Sequence, residues 1–213
     1  MARTTTADTP RRRAVTDAEK AARRVQILDA AKSVFATSGF HDTTVADVAG
    51  AAGLSYGSIY WYFDSKDALF HAVLETEAAR LAEAVVEALD LEPTVEDPLR
   101  PFTEAVRVTL DHFEDDPDSA RLLFRDAVAL GGEFEAHVGR IYERFIRRTE
   151  DTLAQAAEAG GVRSVSLRLA AVSVSSLVMQ LVSRRLVTDD GMTTDEAAAG
   201  LVDLCVNGLR PAR

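Results

Sequence analysis

Residues 44–63 form the segment that most restricts what this chain can fold into. Thr44, followed three residues later by Asp47, is a typical helix start, and Gly53 ends that helix after about two turns. Ser55 then provides the N-cap of a second helix. Two short helices joined by a glycine-containing turn make a helix-turn-helix, so we predict this motif at 44–63.

The rest of the chain also has the periodicity of helices. Thr16–Glu19 and Thr193–Glu196 match the capping box T-x-x-E. Apolar residues recur every three to four positions along 25–35 and 69–89, and no convincing strand or internal repeat is found. We predict an all-α fold of about nine helices, with a three-helix DNA-binding head that contains the helix-turn-helix and a helical body behind it.

Three parts are expected along the chain. Residues 1–20 are expected to form a disordered basic arm, 21–81 the head, and 82–213 the helical body. The proline- and acid-rich stretch "DLEPTVEDPLRP" at 90–101 is predicted to be a loop.

Charge is distributed unevenly over these parts. The whole chain carries a formal charge of −10, yet residues 1–74 hold nine Lys or Arg against eight Asp or Glu. Because salt screens charges within about 8–10 Å, a basic arm can bind DNA although the body is acidic. A solubilising tail remains the alternative for this arm.

The second helix of the motif carries the ring-rich stretch "YGSIYWYF" at 56–63. On a helical wheel Ile59 and Phe63 face the core, and Tyr56 and Tyr60 flank them. The opposite face consists of Gly57, Ser58, Trp61 and Tyr62. Outward aromatic side chains with polar tips can contact DNA phosphates and sugars. The alternative is that Trp61 and Tyr62 cover the first and fourth helices.

The segment "TTVADVAGAAGLSYGSIYWYFDSKDALF" at 43–70 resembles the N-terminal domain of the TetR family of bacterial transcriptional regulators. The matching features are "GF" at 39–40, A-x-x-A-G-L-S at 49–55, "YF" at 62–63 and "SK-x-x-L" at 65–69. The resemblance covers about 21–70. It implies a DNA-binding regulator, expected to be a repressor that binds a palindromic operator as a dimer and is released by a small effector.

The resemblance also implies roles for single residues. Thr44, Ser55, Tyr60, Trp61 and Lys66 are expected on DNA phosphates. Tyr56 and Ser58 are expected to read bases. The helical wheel, independently of the resemblance, predicts that Gly57 permits close approach to DNA and that Tyr62 projects outward. The family often has lysine, arginine or proline where this chain has Tyr56. A tyrosine offers one hydroxyl or packs on a thymine methyl, so the family's usual base contact is not expected here.

The body is expected to hold an apolar or amphipathic effector. The candidate pocket residues are Phe102, Val106, Leu110, Phe113, Phe124, Arg125, Val128, Tyr142, Phe145 and Met179. The alternative for the apolar candidates is ordinary core, and for Arg125 and Tyr142 a surface or satisfied core position. The resemblance implies a homodimer built from the last two helices, and small residues would allow close approach of a partner helix. The candidates on the last helix are Ala197, Gly200, Leu201, Leu204 and Gly208.

Other classes of protein are less well supported. The four histidines lack metal-ligand spacing, and neither a phosphate-binding loop nor a nucleophile elbow occurs, so no enzyme, cofactor or metal site is expected. The acidic run at 111–119 has the wrong register for an EF-hand. The lone Cys205 is expected to be a small interface residue. A helical interaction module with a vestigial DNA-binding head is the remaining alternative.

The cellular location is also inferred from the sequence. No apolar run reaches the ~18–20 residues needed to cross a bilayer, and no secretion signal precedes the first helix. The expected location is the cytoplasm, without a membrane partner.

Overall fold

The computed structural model describes residues 16–92, 94, 99–126, 130, 132–158, 166–188 and 191–207, and its regular elements in these ranges are all helical. The predicted all-α class with nine α-helices is confirmed for this part of the chain. The helices are α1 (Asp17–Asp42), α2 (Val45–Ala51), α3 (Tyr56–Tyr60), α4 (Lys66–Leu89), α5 (Arg100–Asp115), α6 (Pro117–Ala120), α7 (Gly132–Glu158), α8 (Leu167–Arg185) and α9 (Thr194–Asn207).

Capping boxes begin two of these helices as predicted. The Thr16 hydroxyl accepts a hydrogen bond from the Glu19 amide at 3.2 Å, and the Glu19 carboxylate accepts one from the Thr16 amide at 2.7 Å. Thr193 and Glu196 make the same pair of bonds at the start of α9. These bonds satisfy amide groups that have no partner within the helix, which is why the short sequence pattern locates the helix start.

The head consists of α1 to α3 and the first turns of α4. Helix α1 packs against α2 and α4, and α2 packs against α3. Its core contains Ile27, Phe35, Val48, Ile59 and Phe70, none of which is more than 1% exposed. Burying each of these side chains contributes about 1.5–3 kcal/mol.

The body is continuous with the head. Helix α4 packs against α5 and α7, α7 packs against α8, and α9 packs against α5. One apolar cluster extends from Ile27 in α1 to Val202 in α9. Helix α4 runs without interruption through the expected boundary at 81/82, so a displacement of α4 within the body reaches the head directly.

The sixth helix does not continue as a regular α-helix. The α-helix stops at Ala120, and a π-helical segment follows at Arg121–Asp126. Such segments are rare and often occur at functional sites. This one carries Leu123 and Phe124, which line a cavity.

Helix α8 is long and apolar enough to cross a membrane by length and composition alone, and 28% of its most apolar window is buried inside the chain. It packs against α7 and α5 within the bundle. A packed helix of a helical bundle can have the same length and apolar composition, so this one helix is weak support for a membrane span. Its exposed apolar side chains matter for the dimer considered below.

Candidate DNA-binding surface and effector cavity

The start of α2 is held by a reciprocal pair of bonds. The Thr44 hydroxyl accepts from the Asp47 amide at 3.2 Å and donates to the Asp47 carboxylate at 2.6 Å. The same carboxylate accepts from the Thr44 amide at 2.8 Å, and these bonds lower the pKa of Asp47. The Thr44 hydroxyl and the free amide groups of the first turn of α2 were both expected to hold a phosphate. Because the hydroxyl is engaged within the chain, a phosphate contact at Thr44 would use the amide groups.

The turn between α2 and α3 depends on a glycine. Gly53 has a φ of 65°, a left-handed conformation that glycine adopts without strain. The Leu54 amide then donates to the Ala49 carbonyl at 2.8 Å, which closes the turn. Ser55 caps α3 by accepting from the Ser58 amide at 3.3 Å, and the two hydroxyls lie 2.7 Å apart.

Helix α3 presents a ridge of exposed rings. Ile59 and Phe63 are buried as predicted, whereas Tyr56, Tyr60 and Trp61 are 55%, 41% and 65% exposed. Exposed aromatic side chains grouped on one helix of a helix-turn-helix are typical of a surface that meets another molecule. Lys20 of α1 lies 5.7 Å above the Trp61 ring and adds positive charge at this edge.

Tyr62 and Gly57 both belong to the predicted outward face of this helix. Tyr62 is half-buried and packs against the core, so the prediction that it projects outward was wrong. The helix ends at Tyr60, and the 100° spacing of a helical wheel no longer applies in the turn that follows. Gly57 is exposed, and a Cβ atom there would meet no atom of the chain within 4 Å. Nothing inside the chain requires glycine at 57, which agrees with close approach of a partner.

Tyr56 and Tyr60 form a pair on the exposed side of α3. Their hydroxyl oxygens lie 3.2 Å apart, and their ring centroids are 5.0 Å apart with planes inclined by 57°. The hydrogen bond between the two hydroxyls, together with the nearby Tyr56 side chain, raises the pKa of Tyr60. The two side chains therefore present one continuous polar edge.

Lys66 occupies a different position from the one expected. Its ammonium nitrogen lies 2.7 Å from the Phe40 carbonyl, 3.0 Å from the Thr43 carbonyl and 3.3 Å from the His41 carbonyl. It also lies 4.3 Å from the centroid of the Phe40 ring. An ammonium group has three hydrogens, and three carbonyls already accept them. In this structure Lys66 ties the end of α1 to the start of α4.

A cavity of about 680 Å³ lies in the body between α4, the π-helical segment, α7 and α8. Four of the predicted pocket residues line it: Phe124, Tyr142, Phe145 and Met179. Most of the remaining wall is apolar and comes from residues that the sequence analysis missed. They are Ala78, Ala79, Leu81, Ala82, Val85, Val86, Val138, Gly139 and Ile141.

The other pocket candidates lie elsewhere. Phe102 and Val106 are buried and line only a void of about 20 Å³, although that void shares Phe145 with the main cavity. Leu110 and Phe113 line a separate cavity of about 220 Å³ beside α8. The prediction that these four residues line the effector cavity is therefore corrected, because they belong to the core or to a different cavity. The side chain of Arg125 and all of Val128 lie outside the described residues.

Charged residues of α4 and α7 line part of the main cavity. Arg144 and Arg148 are one helical turn apart on α7, and Glu75 and Glu135 are their acidic neighbours in the lining. Arg144 pairs with Glu75 at 3.2 Å, and Arg148 pairs with Asp90 at 3.6 Å. The four side chains in these two pairs are at least 44% exposed, so the pairs are weak and another anion can compete for the arginines.

A histidine pair lies beside this charged lining. His137 of α7 lies 3.2 Å from the Glu75 carboxylate, and the rings of His71 and His137 meet edge to face at 4.7 Å. Burial lowers the pKa of His137. Among the described residues, no group of three or more His, Cys, Asp or Glu is arranged to hold a metal ion.

Comparison with known proteins identifies the family. Residues 27–73 match the model of the tetR family of bacterial regulatory proteins. The HTH-type transcriptional activator FasR of Mycolicibacterium smegmatis is 30% identical over 189 residues, which cover 88% of this chain and 83% of FasR. This chain belongs to the tetR family. It is therefore a DNA-binding transcriptional regulator with an N-terminal helix-turn-helix, and not an enzyme.

Two solved structures share this fold over most of the chain. The fatty acid degradation regulator FadR from Bacillus halodurans superposes with a TM-score of 0.78 at 21% identity, covering 87% of this chain and 99% of that one. FadR from Bacillus subtilis in complex with stearoyl-CoA gives a TM-score of 0.74 at 19% identity, with coverage of 87% and 99%. At these identities the likeness concerns the fold.

The outer face of α8 and α9 is where this tetR-family chain was expected to dimerise. Leu169 and Leu177 of α8 and Leu204 of α9 are 66%, 43% and 40% exposed, and Gly200 is also exposed. Ala197 is 4% exposed inside the chain's own core, so its assignment to the dimer surface was wrong. Leu201 and Cys205 are half-buried and pack against the same core. Gly208 lies outside the described residues.

Proposed function

We propose that this tetR-family regulator is a repressor that binds a palindromic operator as a homodimer and is released by an amphipathic ligand with a long acyl chain, such as a long-chain acyl-CoA. The observation that supports the ligand class is the 680 Å³ cavity with its apolar wall and two arginines in its lining. A regulator with this activity would work in the cytoplasm, where bacterial DNA is located.

The proposed DNA surface consists of α3 in the major groove and the starts of α2 and α3 on phosphates. Helix N-termini carry partial positive charge and unpaired amide groups, which suit phosphate oxygens. The contacting residues are proposed to be Thr44, Ser55, Tyr56, Gly57, Ser58, Tyr60 and Trp61. We assign structural roles to Tyr62, which packs against the core, and to Lys66, which bonds to the Phe40 carbonyl.

The proposed dimer follows from the exposed face of α8 and α9. Leu169, Leu177, Leu204 and Gly200 would be covered by the same face of a second copy, which gives a two-fold arrangement. Single helix-turn-helix units bind half-sites about one helical turn apart, roughly 34–36 Å, when they are paired in a dimer. One motif per chain therefore agrees with a palindromic operator.

The acyl tail of the proposed effector would occupy the cavity, and its polar head would contact Arg144 and Arg148. Leu81, Val85 and Phe145 are examples of the apolar wall that would contact an acyl chain. Arg144 and Arg148 offer charge-assisted bonds to a phosphate or carboxylate. The complex of the Bacillus subtilis FadR with stearoyl-CoA supports this ligand class.

Coupling to DNA would operate through α4. Residues 75–86 of α4 line the cavity, and the same helix begins in the head at Lys66. An effector that fits only one position of α4 shifts the two heads away from operator spacing. A tenfold loss of operator affinity corresponds to a coupling of about 1.4 kcal/mol.

The test is a titration of a labelled operator, obtained by in-vitro selection, in the presence of stearoyl-CoA or of CoA alone. We expect stearoyl-CoA to weaken operator binding at least about tenfold and CoA alone to have no effect. Val86→Trp places a much larger side chain in the cavity wall at a position that is 38% exposed, and it should reduce the response. The matched control is Val187→Trp in the turn after α8, where the side chain is 82% exposed and lies away from the cavity.

Three results would contradict the proposal. They are a stearoyl-CoA complex with unchanged operator affinity, an undiminished response in Val86→Trp, and a response to CoA alone. FasR is named an activator, so transcription in vitro from the operator must also be measured. Transcription that needs the protein, instead of being blocked by it, would overturn the repressor assignment.

A further inference from the structure

We propose that Tyr56 and Tyr60 read the operator as one hydrogen-bonded unit, in which Tyr60 donates to a phosphate and Tyr56 accepts from the amino group of an adenine or cytosine. This inference rests on the proposed binding of α3 to the major groove. It assigns a chemical preference to one base position in each half-site.

The geometry places the two hydroxyls in one chain of bonds. Tyr56 is the first residue of α3, the end of a recognition helix that meets base edges, and Tyr60 follows one turn later. Their oxygens are 3.2 Å apart on a surface where both side chains are more than 40% exposed. Both tips can therefore reach DNA while they remain bonded to each other.

The direction of the bond between them follows from counting protons. A tyrosine hydroxyl has one hydrogen to donate and can also accept. Phosphate oxygens on DNA accept hydrogen bonds from proteins. When Tyr60 donates its only hydrogen to a phosphate, the hydrogen between the two oxygens must come from Tyr56. Tyr56 then has no hydrogen left and meets the base only as an acceptor.

An acceptor distinguishes the bases in the major groove. Adenine presents its N6 amino group and cytosine its N4 amino group there, whereas guanine presents N7 and O6 and thymine presents O4, all of them acceptors. Tyr56 can pair with the first two bases and would face another acceptor on the last two. We therefore expect adenine or cytosine, and not guanine or thymine, on the contacted strand at one position of each half-site.

Removing the Tyr60 hydroxyl should remove this restriction on the base. In Tyr60→Phe the Tyr56 hydroxyl regains its hydrogen and can donate as well as accept. Guanine and thymine should then become acceptable at the same position. A Tyr60 that only anchors the helix would, when changed to Phe, weaken all sequences alike and leave the preference intact.

The experiment is selection from a random duplex library with the wild type, Tyr60→Phe, Tyr56→Phe and the control Thr37→Val. Thr37 is an exposed residue of α1 whose hydroxyl bonds to the Ser33 carbonyl, so the control also deletes one hydroxyl from the head. We expect one position per half-site where wild type and control prefer adenine or cytosine by about fivefold to tenfold, the size of one hydrogen bond. The preference should be lost in both tyrosine variants.

The outcomes separate this inference from the proposed function. Enrichment of no sequence by the wild type would overturn operator binding itself, and the inference with it. A wild-type operator whose preferences are the same in Tyr60→Phe would overturn the inference alone. A preference for guanine or thymine that disappears in Tyr56→Phe would also overturn it, because Tyr56 would then be a donor.

Discussion

Lys32 of α1 and Glu77 of α4 form an ion pair with a nitrogen–oxygen distance of 2.8 Å, in which the Glu77 side chain is only 3% exposed. Lys32 also pairs with Asp116, the N-cap residue of α6, and Arg80 pairs with Glu77 at 2.9 Å. Burial opposes the charge of Lys32, but the bonds to Asp116 and Glu77 outweigh it and raise the lysine's pKa. One side chain thus joins the head to both α4 and α6.

Lys32→Met should lower the free energy of unfolding by about 3 kcal/mol. The methionine fills a similar volume but leaves Asp116 and part of Glu77 without a cation, and removing one partner of a buried pair is costly. Urea unfolding measures the change. The control Arg147→Met removes an exposed pair with Glu143 and should cost less than about 1 kcal/mol. Equal effects of the two variants would contradict this account of the buried pair.

Acidification below pH 6.5 should destabilise the protein partly through His112. Burial lowers the pKa of His112 from its ordinary value of 6.5, although Asp116 and Glu77 act in the opposite direction. The unfolded chain therefore takes up this proton at a higher pH than the folded chain. Stability contributed by neutral His112 is present above pH 6.5 and falls as the pH is lowered through that value.

The check is urea unfolding at several pH values between 5 and 7.5 for wild type, His112→Gln and the control His41→Gln. His41 lies exposed at the end of α1. His112→Gln should show a shallower loss of stability on acidification, whereas His41→Gln should follow the wild type. A slope for His112→Gln as steep as that of the wild type would show that this histidine does not contribute.

Lys66→Met should destabilise the protein in the absence of DNA, by about 2 kcal/mol, because carbonyls at the end of α1 lose a charged donor. Lys20→Met is the control. In the described part of the chain, the one ion pair of Lys20 is an exposed pair with Asp17 at 3.5 Å. Thermal and urea unfolding give the comparison. Full stability with a loss of operator affinity would instead favour the original expectation of a phosphate contact.

Leu177→Glu should convert the proposed dimer into monomers, because a charge on the covered face of α8 would be buried without a partner. Sedimentation velocity at micromolar concentration measures the change, and operator affinity should fall with it. Val187→Glu is the control, since this exposed residue lies in the turn after α8. A wild type that is monomeric and still binds a palindrome tightly would contradict the dimer.

Local features of the chain were predictable where a few neighbouring residues determine the structure. The capping pairs Thr16–Glu19 and Thr44–Asp47, the left-handed turn at Gly53 and the buried Ile59 all follow from interactions over three or four positions. The helix-turn-helix was recognisable for the same reason. The side chains that carry its proposed function lie within one short segment.

The features that the sequence left open depend on contacts between distant segments. Periodicity shows that α4 has an apolar face, but only packing decides that Leu81 and Val85 border a cavity whose opposite wall is α7. Likewise, a lysine at 66 could meet DNA or the end of α1, and Ala197 could face a partner or its own core. The amino-acid sequence determined the helices and their apolar faces, because these depend on neighbours along the chain. Tertiary structure alone decided which faces are covered, because burial depends on helices that are far apart in sequence.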